Sequence, residues 1–66
     1  MTMREARQRC LYNNCRIQNT GYGDYRVVHM GWTKRIEDKA YYSDDLEDCA
    51  LTSSALNAHY IKHGDK

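Results

Sequence analysis

Tyr25-Arg26-Val27-Val28-His29-Met30 is the stretch on which the fold turns. Its β-branched and aromatic residues favour a pleated, extended backbone. A period of two puts Tyr25, Val27 and His29 on one face and Arg26, Val28 and Met30 on the other. Just before it, Thr20-Gly21-Tyr22-Gly23-Asp24 supplies two residues that tolerate positive φ, as a hairpin turn requires, so the extended run from Cys15 to Asn19 is its predicted partner. Gly31 breaks the strand. Trp32-Thr33-Lys34-Arg35-Ile36 then reads as a returning strand, and Glu37-Asp38-Lys39 as the connection to Ala40-Tyr41-Tyr42. The result is a three- or four-stranded antiparallel meander.

Helices flank this meander on both sides. Thr2 and Glu5 have capping-box spacing, Met3, Ala6, Cys10 and Leu11 recur at helical intervals, and Asn13-Asn14 ends the pattern. Arg4, Arg7 and Arg9 give this short helix a basic outer surface, which solvation alone explains. Ser43 or Asp44 caps a longer helix running to about Lys62, with Asp44 and Glu47 repeating the box spacing. Leu46, Cys49, Ala50, Ser53, Leu56, Tyr60 and Ile61 share the face expected to cover the sheet. Leu51, Ala55 and Ala58 form a weaker apolar stripe on the far side, which would stay wet in a monomer and offers a route to a homodimer. The expected fold class is α+β: a short N-terminal helix, the meander, and a long C-terminal helix packed on one sheet face.

Sixty-six residues make one small domain, 1–66. With 41% hydrophobic and 29% charged residues, the chain is too apolar for a disordered tail and too charged for a membrane segment. No apolar run approaches the roughly 20 residues that span a bilayer, and Met1-Thr2-Met3-Arg4-Glu5 lacks a secretory apolar core. Three cysteines, an odd number, argue against a disulfide framework. A soluble, cytoplasmic protein with reduced thiols is the expectation. Residues 1–36 carry seven basic groups against Glu5 and Asp24, a balance of +5, and residues 37–66 carry three lysines against seven acids, a balance of −4. The two halves should attract. Six tyrosines and one tryptophan, with no phenylalanine, place the aromatic load on rings that need a polar outlet and suit binding.

Four constellations could carry chemistry. Cys10 and Cys15, with His59 and His63 on one side of a helix, have ligand-pair spacings that suit zinc, and a metal would help so short a chain hold its shape. The wide separation of the pairs and the apolar position of Cys10 favour buried cysteines and surface histidines instead, leaving zinc as the alternative. Cys15, Cys49 and His29 are formal candidates for nucleophilic catalysis. No motif surrounds them, and a chain this short leaves little room for a pocket of ~300 Å³, so no enzyme is expected. Arg26, Lys34 and Arg35 interleave with Tyr25 and Trp32 in a pattern that could hold nucleic acid, although the acidic segment beside it disfavours that.

That acidic segment is the fourth constellation. Six acids between Glu37 and Asp48, against Lys39 alone, create a negative field beside Tyr41 and Tyr42, suited to docking on a basic protein surface. The expected partner-binding residues are Tyr22, Tyr25, Trp32, Arg35, Tyr41 and Tyr42 as anchors, with Asp45 and Asp48 as steering charges. The proline-free hairpin of Tyr25–Met30 with Trp32–Ile36, followed by Tyr41-Tyr42-Ser43-Asp44-Asp45-Leu46-Glu47 opening a helix, resembles the architecture of small phage-encoded anti-defence proteins, anti-CRISPR inhibitors among them. That resemblance covers roughly residues 16–62. It implies a mode of action, stoichiometric binding to a host defence or nucleic-acid-handling protein, and carries over no individual residue.

Overall fold

Asn19 pairs with Tyr25 and Cys15 with His29, the register that closes β1 (Cys15–Asn19) on β2 (Tyr25–His29) as an antiparallel hairpin. Gly21 and Gly23 both adopt positive φ in the turn, at 84° and 93°, where a side chain would be strained. β3 (Tyr41–Ser43) adds antiparallel to the other edge of β2, giving a three-stranded sheet in the order β1-β2-β3. The chain is seen here in a computed structural model, which describes residues 1–65.

α1 (Met3–Tyr12) begins with the expected capping box: Thr2 Oγ1 accepts from Glu5 N–H and Glu5 Oε1 from Thr2 N–H. α3 (Leu46–His63) is capped by Asp45 rather than by Ser43 or Asp44; its carboxylate accepts from Glu47 N–H at 2.9 Å. Both helices lie on one face of the sheet. Ala6 and Cys10 of α1, Cys15 and Ile17 of β1, Val27 of β2 and Cys49 of α3 form the buried core, with Met3, Tyr25, Tyr41, Leu46 and Leu56 packed against it. At about 25 cal/mol per Å² of apolar surface removed from water, this small cluster is the main stabilising term. Ile61, expected on the covered face, is exposed. The Leu51, Ala55 and Ala58 stripe is exposed as anticipated. No helix among the described residues is long and apolar enough to cross a membrane.

Trp32-Thr33-Lys34-Arg35-Ile36 is not a strand. Trp32 N–H donates to His29 O at 3.2 Å, turning the chain immediately after β2. The backbone N–H groups of Thr33 and Lys34, which a ladder would need, donate to Asp65 Oδ1 at 2.9 and 3.3 Å. Arg35 takes a left-handed conformation, φ 53°, and Glu37-Asp38-Lys39 belongs to a one-turn helix, α2 (Ile36–Lys39), instead of a loop. The meander therefore has three strands. A carboxylate far along the chain has taken the donors that a fourth strand would have used.

Candidate protein-interaction surface

Strand register builds the site. Gln18, Arg26 and Tyr42 stand opposite one another across the three strands, on the face that the helices leave open. Arg26 lies at the centre. Its Nη1 donates to Gln18 Oε1 at 3.0 Å and its Nη2 to Glu37 Oε1, while Tyr42 Oη donates to Glu37 Oε2 at 2.7 Å. Glu37 reaches this row because α2 is a helix; the loop expected there would not have fixed it. Hydrogen bonds from Tyr42 and Arg26 hold its carboxyl below the usual range, and the same bonds to Glu37 raise the Tyr42 phenol and the Arg26 guanidinium.

Tyr22 enters from the hairpin turn. Asn19 Oδ1 accepts from Gly21 N–H at 2.8 Å and Thr20 Oγ1 from Tyr22 N–H at 3.2 Å, local bonds that fix the turn and leave the Tyr22 ring 93% exposed. Together Gln18, Asn19, Thr20, Tyr22, Arg26, Glu37 and Tyr42 line a concavity of about 470 Å³, larger than so short a chain was expected to offer. Tyr42 is 46% exposed at its rim. Asp44, Asp45, Glu47 and Asp48 follow in sequence and border a second concavity with Ser43 and Leu51.

Two ion pairs, Arg26–Glu37 and Arg35–Asp38, join the basic half to the acidic half, and they leave the outer charges of each half unspent. Among the described residues the ion pairs are Arg26–Glu37, Arg35–Asp38 and Lys39–Asp65. Among the described residues Arg4, Arg7 and Arg9 pair with no acid, and the four acids from Asp44 to Asp48 pair with no base. Asp45 is partly used as the helix cap. Asp48 accepts from Tyr41 Oη, which lowers its own carboxyl and raises the Tyr41 phenol.

Of the anticipated anchors, Tyr22 and Tyr42 are surface rings that share the concavity. Arg35 is exposed but separate, paired with Asp38 on α2. Three placements need correction. Tyr25 and Tyr41 are half-buried and pack on the core, because the strand period that turns Arg26 and Tyr42 to the open face turns their neighbours toward the helices. Trp32 is only 5% exposed: its ring lies near His29, with Lys39 Nζ 5.1 Å from its centroid. The proposed nucleic-acid set is thereby divided, since Tyr25 and Trp32 do not stand beside Arg26.

The cysteines and histidines also part company. Cys10, Cys15 and Cys49 are fully buried, whereas His59 and His63 lie exposed on α3 with their rings 4.5 Å apart. Among the described residues no three metal-ligating side chains converge. Burial pushes the Cys15 thiol up to about 12 and the Cys49 thiol to about 11. Cys15 stands opposite His29 in register, yet their polar atoms point elsewhere. The thiol faces the Asn13 and Ser53 carbonyls; His29 Nδ1 accepts from Gly31 N–H at 2.9 Å and Nε2 lies 2.8 Å from Asn57 Oδ1. With Nδ1 an acceptor, the ring carries its proton on Nε2.

Gln18 and Glu37 were not singled out in the sequence as binding residues. The signal for Gln18 was available, since a hairpin closed at residues 20–24 puts it opposite Arg26. Glu37 carried no comparable signal, because its place depends on α2. No family model, curated protein or solved structure matches the chain.

Proposed function

We propose that this chain is a non-enzymatic protein-binding module that docks its open sheet face and the adjoining acidic segment on a basic surface of a partner. One observation carries the reading. Two exposed tyrosines, Tyr22 and Tyr42, flank a concavity held by the Arg26–Glu37–Tyr42 network, next to four acids that pair with no cation among the described residues. Exposed rings on a fixed backbone are efficient anchors because little freedom is lost when they are covered, and unpaired acids accelerate encounter with a positive surface. Proteins that handle nucleic acid present such surfaces. A module seated there would inhibit by occupancy, one copy per site, as expected of a phage-type inhibitor of a host defence or nucleic-acid-handling protein.

Capture from bacterial lysate, followed by size-exclusion chromatography of the isolated complex, tests this reading. The expected result is a 1:1 complex with a partner of basic surface, lost with a Tyr22→Ala, Tyr42→Ala double variant that still folds. Each truncated ring should cost about 2 kcal/mol of binding if it is a central anchor. Equal capture by wild type and variant would remove the reading.

A further inference from the structure

We infer that the concavity on the open sheet face receives an arginine side chain of the partner. This rests on the protein-binding reading and names the chemistry at its centre. The site's own cation is already charge-paired and largely covered: Arg26 spends two of its five N–H donors, Nη1 on Gln18 and Nη2 on Glu37, and its side chain is only 20% exposed. An incoming anion would meet the exposed Glu37 carboxylate at the donors that Arg26 keeps. What the surface presents most openly is acceptor capacity.

The Glu37 side chain is 67% exposed, and a carboxylate offers about four lone-pair sites, of which Arg26 and Tyr42 use two. Gln18 Oε1 keeps a second lone pair beside it. Tyr22 and Tyr42 supply aromatic rings in the same concavity. A planar guanidinium matches this set better than an ammonium, because it can lie on a tyrosine ring and present two parallel donors to one carboxylate. The acids from Asp44 to Asp48 begin two residues beyond Tyr42 and add the field that draws a cation to this edge of the sheet.

The test is a titration of the isotope-labelled protein, followed by backbone NMR, with a short amidated peptide carrying arginine, with the same peptide carrying neutral citrulline, and with a lysine version. Saturable shifts at Gln18, Tyr22, Glu37 and Tyr42 are expected with arginine, with the lysine peptide weaker and the citrulline peptide inert. Glu37→Gln keeps the shape but not the charge, and should weaken the arginine peptide about tenfold while the spectrum stays dispersed. Equal responses to arginine and citrulline would overturn the inference, as would shifts confined to residues 44–48. Undiminished capture of the protein partner by Glu37→Gln would also overturn it, while leaving the broader protein-binding reading in place.

Discussion

Asp65 accepts a hydrogen bond from the backbone N–H of Thr33 at 2.9 Å, across 32 residues of sequence. The same carboxylate takes the Thr33 hydroxyl, the Lys34 N–H and Lys39 Nζ, so one side chain fastens the segment that leads into α2. Because α2 delivers Glu37 to the open sheet face, this clasp links the far end of α3 to the geometry of the concavity.

Replacing Asp65 with Asn should loosen residues 32–39 without unfolding the sheet. Trp32, the single tryptophan, reports it directly: its emission should move to longer wavelength, and amide exchange at Thr33 and Lys34 should accelerate more than at Val27. Unchanged emission and exchange would mean that the segment is held by other contacts.

Acid should act through the same clasp. Hydrogen bonds from Thr33, then the Lys39 ammonium and the Lys34 N–H, hold the Asp65 carboxyl well below the usual carboxylate range. A depressed folded value means that the stabilisation is fully present above the unfolded value of about 3.9 and is lost as pH falls through the folded one. Glu37 and Asp48 are lowered too and act in the same direction. Urea midpoints should therefore fall between pH 5 and pH 2, and fall less for Asp65→Asn; an equal fall in both proteins would contradict the assignment.

Gly31 has no room for a side chain, since a Cβ there would overlap the Tyr60 ring. That ring stacks on His29, with centroids 4.0 Å apart. Gly31→Ala should cost about 1–3 kcal/mol, the usual range for overpacking, measured by urea denaturation. The His29 ring resonances should shift with the displaced Tyr60, and a neutral substitution would show that this contact yields easily.

Thiol chemistry gives an independent check on the core. Cys10, Cys15 and Cys49 should resist a disulfide reagent at pH 8 in the folded protein and react fully, three per chain, in denaturant. Burial raises all three, so above about pH 9 the unfolded chain releases protons that the folded one keeps, and stability declines as pH rises toward 11 and 12. Rapid labelling of the folded protein at pH 8 would contradict the buried placement.

The hairpin, both long helices and the capping box at Thr2 and Glu5 were legible because each is written locally, in strand alternation, paired glycines and cap spacing. The segment from Trp32 to Lys39 was not. Its residues suit a strand, and what decides otherwise is Asp65, with a buried place for Trp32 on the helix side. The site was half legible for the same reason. Turn chemistry exposes Tyr22, and strand period separates Tyr42 from Tyr41 and Arg26 from Tyr25, both readable in short windows, whereas the face that the helices cover is decided by tertiary packing, and the role of Glu37 needed α2.

Hydrogen exchange of the free protein compared with its isolated partner complex is the most direct measurement of where this molecule binds. Slowed exchange concentrated in residues 18–26 and 37–48, with the outer surfaces of α1 and α3 unchanged, is the predicted result. Protection confined to residues 3–12 or 51–62 would contradict the proposal and assign binding to the helices.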